Sequence, residues 1–174
     1  MRKALLVSWA IALVGCATSG SMGRKPDAAA DLMTAGGKKI GTAALFDEKD
    51  KVRLVVDVTG LDPGKHGIHF HAVGQCQDPA FTTAGPHFNP VGKKHGLDAA
   101  DGPHAGDLPN LEADKDGKAH YDVTTDRVTL GPGPASLFDA DGTAVVIHAK
   151  EDDQKTDPAG NSGDRVACGV VRKS

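Results

Sequence analysis

The chain of 174 residues has few aromatic side chains, with one Trp, one Tyr and five Phe, and no long hydrophobic segment. Its longest apolar run spans 11 residues, 4–14, whereas a membrane-spanning helix needs about 20. Lys and Arg are dispersed rather than clustered, which argues against a nucleic-acid partner. Gly (22) and Pro (10) are abundant, a balance typical of short strands joined by many turns. We therefore expect a single all-β domain.

The first 15 residues have the features of an export signal. Arg2 and Lys3 precede the apolar run, which closes on Leu13-Val14-Gly15-Cys16. This tetrapeptide resembles a bacterial lipobox, in which the chain is cleaved before the cysteine and the cysteine is lipidated. The alternative is an ordinary signal peptide with an unrelated cysteine.

A lipobox predicts three segments: a lipoprotein signal peptide at residues 1–15, lipidated Cys16 with a flexible tether up to residue 27, and a folded domain at residues 28–174. Cleavage before Cys16 removes Arg2 and Lys3 and changes the formal net charge from −3 to −5. The mature protein is then expected outside the cytoplasm, lipid-anchored to the bacterial cell envelope. Its contact with the membrane would be through the lipid only.

Three cysteines are present, and their positions fit export. If Cys16 is lipidated, Cys76 and Cys168 remain as a single pair. In an oxidising compartment a disulfide is the default for such a pair. The alternative is two free, buried thiols.

Alternating apolar and polar residues predict several short strands: about 28–34, 39–46, 51–59, 117–125, 144–149 and 165–172. Two stretches without periodicity, 74–113 and 150–164, are predicted as loops. Because long structureless loops are uncommon inside a compact domain unless they are functional, we expect both to carry function. The predicted fold is an antiparallel Greek-key β-sandwich or barrel with two long functional loops.

The most informative stretch is Gly67-Ile68-His69-Phe70-His71. In a strand, His69 and His71 point to one side, and Ile68 and Phe70 point to the other. Two imidazoles on one face of a rigid strand are suitable metal ligands, although surface strands also carry paired histidines by chance.

Further candidate ligands follow along the chain. Three histidines and one aspartate lie within 21 residues, at His87, His95, His104 and Asp107, and such a nitrogen-and-oxygen set is typical of zinc. His148 ends an apolar strand and, with His69 and His71, completes an imidazole-rich set typical of copper. The alternative is a group of scattered surface histidines with a hydrogen-bonded His148 in the core. His66 and His120 are assigned to no metal.

Four motifs then occur in order: residues 67–74 (GIHFHAVG), 85–90 (GPHFNP), 104–108 (HAGDL) and 160–171 (GNSGDRVACGVV). With these motifs the chain resembles the bacterial copper–zinc superoxide dismutases over about residues 28–172. The resemblance implies one copper and one zinc per subunit and superoxide as the substrate. It leaves open whether the protein is a monomer or a homodimer.

The resemblance also implies a role for individual residues. Copper would be bound by four histidines: His69, His71, His87 and His148. Zinc would be bound by His87, His95, His104 and Asp107, so that His87 is shared. Arg165 would attract superoxide to the copper, Asp152 would connect a copper histidine to a zinc histidine, and Cys76 and Cys168 would form the intrasubunit disulfide.

The expected activity is dismutation of superoxide to oxygen and hydrogen peroxide, which would protect the cell envelope. The alternative is a non-catalytic module that binds or delivers copper on the same scaffold. Such a module predicts the loss of a ligand or of the guiding arginine, and here each of these residues is present.

Overall fold

The computed structural model describes residues 24–77 and 79–174. The predicted signal peptide, Cys16 and most of the predicted tether lie outside the described residues. Within the described part the chain forms ten strands and one short 3-10 turn at Thr82–Ala84. None of its helices is long and apolar enough to cross a membrane.

The strands are, in chain order, β1 (Ala28–Met33), β2 (Lys39–Asp47), β3 (Val52–Thr59), β4 (Gly64–His66), β5 (Ile68–His71), β6 (Leu111–Ala113), β7 (Lys118–Thr125), β8 (Ala144–His148), β9 (Arg165–Val170) and β10 (Arg172–Lys173).

The strands form one large sheet and one small sheet. The large sheet has the order β5-β8-β9-β1-β2-β3-β7, with β10 beside β1, and every pairing between its strands is antiparallel. The small sheet pairs β4 with β6. Only Gly67 separates β4 from β5, and a turn at residues 114–117 separates β6 from β7, so the small sheet connects the two end strands of the large one. The curled, all-antiparallel sheet confirms the predicted fold class.

The core follows from strand alternation. In β3, Val52, Leu54, Val56 and Val58 are buried, whereas Arg53 and Asp57 point outward. Neighbouring strands contribute further apolar side chains to the same core, including Leu32 from β1 and Leu45 from β2. Burying this apolar surface is the main source of stability for the sheet.

The end strand β5 and its neighbour β8 are buried on both faces. In β5, Ile68 and Phe70 pack into the main core, as the alternation predicts. The opposite face carries His69 and His71, and both are fully buried. These imidazoles are shielded from water because the two long loops cover that face.

The first long loop covers the free edge of β5 with strand-like hydrogen bonds. The amide of Phe70 donates to the carbonyl of Gly106 (2.9 Å), and the amide of Phe88 donates to the carbonyl of Phe70 (2.8 Å). A Cβ atom at Gly106 would overlap the Phe70 carbonyl oxygen, so this close approach requires glycine. The loop is thereby held in register with β5.

Cys76 and Cys168 form a disulfide, with their Cα atoms 5.7 Å apart and 92 residues between them in sequence. It packs in a second, smaller apolar cluster with Phe81, Ala84 and Val146. The bond attaches the start of the first long loop to β9, and it confirms the predicted cysteine pair.

The boundaries differ from the predicted ones in two places. β6 lies inside the stretch predicted as a loop, because three residues are too few to show a period. The short strand β4 pairs with β6 and lies at Gly64–His66, where no strand was predicted. At the described end of the tether, Arg24 donates to the Asp47 carbonyl (3.0 Å) and Asp27 accepts the Asp47 amide (2.8 Å).

We predict that replacing both cysteines (Cys76→Ser with Cys168→Ser) lowers the free energy of unfolding by about 4 to 5 kcal/mol, because the unfolded chain regains the entropy of a loop of this length. Urea denaturation of the purified domain measures the change. A loss of less than about 1 kcal/mol would contradict the prediction and would indicate that the apolar cluster alone holds the loop.

Candidate metal centre

Two adjacent strands bring three histidines together. His69 lies opposite Val146 of β8, and residues directly opposite in an antiparallel pair share a face. His71 and His148 follow two residues later on their own strands and therefore lie on the same face. The pairing of β8 with β9 shifts after Ile147, which places His148 opposite Arg165.

The first long loop adds two residues to the three strand histidines. Isolated antiparallel bridges pair His71 with His87 and His69 with Asp107. Because both bridges use the edge of β5, the same backbone contacts that hold the loop also direct His87 and Asp107 toward the strand histidines.

A first cluster consists of His69, His71, His87 and His148. Their candidate ligand atoms lie within 4.8 Å of one another, and all four residues are buried. The Nδ1 atom of His69 and the Nε2 atoms of the other three have no hydrogen-bond partner. Buried polar atoms are nearly always hydrogen-bonded, and a bound cation would satisfy all four nitrogens at once. These residues therefore fit a metal ion.

The other ring nitrogen of each strand histidine is hydrogen-bonded. His69 donates to Asp152 (2.7 Å), His71 to the Gly85 carbonyl (2.9 Å) and His148 to the Gly163 carbonyl (3.1 Å). Each bond fixes the orientation of the ring and leaves the second nitrogen with a lone pair for a metal.

A second cluster surrounds one carboxylate oxygen, Oδ1 of Asp107. The Nδ1 atoms of His87, His95 and His104 lie 2.9, 3.1 and 3.3 Å from it. Three imidazoles and one carboxylate are a typical zinc set. His69 also comes within 4.8 Å of the group formed by His87, His95 and Asp107, but its two nitrogens already face the first cluster and Asp152.

Asp152, on the second long loop, connects the two clusters. Its Oδ2 accepts from Nε2 of His69 (2.7 Å), and its Oδ1 accepts from Nε2 of His95 (3.0 Å). The side-chain amide of Asn110 both donates to the Asp152 carbonyl and accepts the Asp152 amide, each at 2.8 Å. The carboxylate is therefore fixed from its backbone as well as from its two imidazole partners.

Burial keeps the first cluster neutral. It lowers the pKa of His69 to about 3 and that of His148 to about 4, and it lowers the pKa of His71 well below its usual value. All three rings are therefore unprotonated at neutral pH, which is the form that binds a metal.

In the second cluster, the surroundings favour the charged forms of Asp107 and His95. Burial opposes charge there, but hydrogen bonds from His87 and His95 hold the pKa of Asp107 well below its usual value. Burial alone would also lower the pKa of His95, but its bonds to Asp107 and Asp152 raise it to about 9. A cation that binds this cluster must therefore displace a proton from His95.

Arg165 lies at the edge of the first cluster and is half-buried. Its guanidinium donates to the carbonyls of Phe81 (2.6 Å) and Gly85 (2.8 Å). The Gly85 carbonyl also accepts from His71, so one backbone oxygen orients both the arginine and a histidine of the cluster. Its positive charge contributes to the lowered pKa of His71 and His148, after burial and the nearby His87.

The structure brings together every residue that the sequence singled out for the site within the described part of the chain. His66 and His120 lie outside both clusters: His66 bonds the carbonyls of His148 (2.7 Å) and Asp62 (2.8 Å), and His120 pairs with Asp57 on the exposed face of the sheet. Asn110 was missed, because a single asparagine before a short strand carries no distinguishing sequence signal.

Comparison with known proteins identifies the family to which this chain belongs. A sequence model of the copper/zinc superoxide dismutase (SODC) family matches residues 39–171. This chain belongs to the copper/zinc superoxide dismutase family. Superoxide dismutase (Cu-Zn) 2 of Aquifex aeolicus is 45% identical over 156 residues, covering 88% of this chain and 91% of the relative.

Two further relatives, one compared by sequence and one by structure, support the same family assignment. Superoxide dismutase (Cu-Zn) of Caulobacter vibrioides is 41% identical and covers 78% of this chain and 80% of its own length. The crystal structure of a SOD-like protein from Bacillus subtilis superposes with a TM-score of 0.79 at 36% identity, covering 82% of this chain and 96% of that one. Copper/zinc superoxide dismutases act on superoxide with one copper and one zinc per subunit, and the two side-chain clusters fit these cofactors.

We predict that Gly160→Ala lowers zinc affinity about 10- to 100-fold, the usual effect of disturbing a partner of a metal ligand. A Cβ at Gly160 would overlap Oδ1 of Asp152 and lie 2.8 Å from Nε2 of His95. Competition with a chromogenic chelator measures the affinity.

Gly163→Ala is the matched control for this variant. Its φ of +77° resembles the +61° of Gly160, but its Cβ would meet only the flexible Lys150 side chain. Equal losses in both variants would attribute the effect to backbone strain and contradict the prediction.

Proposed function

We propose that this protein converts superoxide into oxygen and hydrogen peroxide at a copper and a zinc that share one ligand, His87. The proposed copper ligands are the four histidines with an unpartnered buried nitrogen: His69, His71, His87 and His148. The proposed zinc ligands are the side chains that meet around one carboxylate: His87, His95, His104 and Asp107. The observation that carries the proposal is the position of His87, which presents Nδ1 to one set and Nε2 to the other.

In the net reaction, two superoxide anions and two protons give one molecule of oxygen and one of hydrogen peroxide. The metals supply a one-electron redox couple at copper and a fixed positive charge without redox chemistry at zinc. The protein must hold the rings in place, attract an anion and deliver protons.

His87 is the residue proposed to move a proton. Its Nδ1 lies 2.9 Å from Asp107, whereas its Nε2 is buried and has no hydrogen-bond partner. We assign to Nε2 the uptake and return of one proton in each cycle. A ring between two cations can lose both of its protons near neutral pH, which makes this nitrogen available for that role.

Arg165 is proposed to guide and hold the substrate. The chain has a net charge of −3, so an anion reaches the site only where a local positive charge focuses the field. The carbonyls of Phe81 and Gly85 hold the guanidinium beside the copper histidines. Asp152 keeps the rings of His69 and His95 in position through its two oxygens.

We predict that the copper- and zinc-loaded domain has fast, salt-sensitive dismutase activity. The second-order rate should fall about tenfold or more in Arg165→Ala, because steering is lost, and activity should vanish in His148→Ala, because a copper ligand is lost. Pulse radiolysis at several ionic strengths measures the rate.

Arg172→Ala is the matched control for these variants, because it removes the same charge from the exposed terminal strand β10 and should leave the rate nearly unchanged. Stoichiometric copper binding without dismutation in the unaltered protein would contradict the proposal. That result would favour a copper-binding or copper-delivery module.

We further propose that the mature protein is exported and lipid-anchored at Cys16, where it would protect the cell envelope from superoxide. The support is the order of features in the sequence: two basic residues, an apolar run too short to span a bilayer and the lipobox-like segment 13–16. The two cysteines left over are joined in a disulfide, which is the usual outcome in an oxidising compartment.

We predict that the full-length protein, expressed in a bacterium, partitions into the detergent phase and incorporates labelled fatty acid. Cys16→Ala should abolish both, because the proposed lipid acceptor is lost. Detergent phase separation and fatty-acid labelling measure the two effects. Partition of the unaltered protein into the aqueous phase would contradict lipidation and favour an ordinary signal peptide.

A further inference from the structure

The second long loop contacts His95 at two separate points. Asp152 Oδ1 accepts from the imidazole Nε2 of His95 (3.0 Å). Five residues further along the loop, Asp157 Oδ1 accepts the backbone amide of His95 at 2.6 Å. The side chain and the backbone of one proposed zinc ligand are therefore both held by carboxylates of the other loop.

The two bonds of Asp157 differ in strength. Its Oδ2 pairs with Lys94 at 2.8 Å, but 65% of the Lys94 side chain and 39% of the Asp157 side chain are exposed, and exposed ion pairs contribute little. Its Oδ1 accepts a backbone amide of a buried residue, and bonds from an amide to an ionised carboxylate are short and strong. The bond to His95 is therefore the one that matters for the site.

The chain that follows His95 also abuts the second loop. The amide of Asp98 donates to the carbonyl of Gln154 (3.1 Å). Gly96 has a φ of +106°, and a Cβ there would overlap the Gln154 carbonyl. His95 is thus fixed by contacts to the second loop on its backbone, on its ring and on the residues next to it.

We propose that Asp157 is a positioning residue of the zinc site: its carboxylate holds the backbone of His95 so that the imidazole stays directed at Asp107. The inference rests on the proposed assignment of His95 to zinc. Within the part of the chain that the structure describes, the His95 amide donates only to Asp157, so losing the carboxylate frees this point of the backbone and lets the ligand shift relative to the metal.

The test compares zinc release to a chromogenic chelator from the fully loaded protein and three variants. Asp157→Ala should release zinc about tenfold faster, the lower end of what disturbing a ligand's partner costs. Asp157→Asn keeps an oxygen acceptor for the His95 amide and should stay within about twofold of the unaltered protein. Lys94→Gln removes only the ion pair and should also stay within about twofold.

Two independent readouts separate positioning from general loss of structure. Hydrogen exchange of the His95 amide should accelerate in Asp157→Ala and not in Lys94→Gln, and copper release should be unchanged in both. The inference is overturned if Asp157→Ala leaves zinc release unchanged, if it speeds copper and zinc release equally, or if Lys94→Gln has the same effect. His95→Ala tests the underlying assignment: unchanged zinc release in that variant would refute the zinc ligand set itself.

Discussion

Four buried imidazole nitrogens without a hydrogen-bond partner are the constraint on which the rest of this structure depends. A buried polar atom left unpaired costs about 1 to 3 kcal/mol, so four of them in one place destabilise the fold unless a cation binds there. The rings cannot turn away, because carbonyls or a carboxylate hold the second nitrogen of His69, His71 and His148. We therefore expect metal binding and folding to be coupled in this protein.

Polar contacts to the site order both long loops, and the first loop also buries apolar side chains such as Phe81 and Leu108. The first is paired with the edge of β5 and attached to β9 by the disulfide. The second is held through Asp152, whose carboxylate bonds an imidazole from each cluster. Because the same contacts orient the ligands, the loops and the metal sites are expected to gain or lose order together.

The proposed substrate guidance depends on the same loop conformation as the proposed metal ligands. The Gly85 carbonyl accepts from both Arg165 and His71, so moving this backbone would misplace the proposed guiding charge and a proposed copper ligand at once. The disulfide lies at the start of that loop segment and fixes its distance from β9. A chain with net negative charge thus holds the positive charge of Arg165 beside the buried histidines of the first cluster.

The sequence by itself determined the longer strands, the two faces of β5 and the set of candidate ligands, because side-chain alternation and ligand type are local properties; the short strands β4 and β6 were not predicted. If Cys16 is lipidated, the sequence also leaves Cys76 and Cys168 as a single pair, but the structure decides that they are joined in a disulfide rather than free. The sequence could not show that Asn110 and Asp157 support the site, or that Gly160 leaves room for Asp152. The roles of Asn110 and Asp157 depend on contacts between segments 42 and 62 residues apart in the chain, and a Cβ at Gly160 would meet both Asp152 of its own loop and His95 of the other. Only the tertiary structure decides these contacts, because nothing local in the sequence encodes the close approach of two irregular segments.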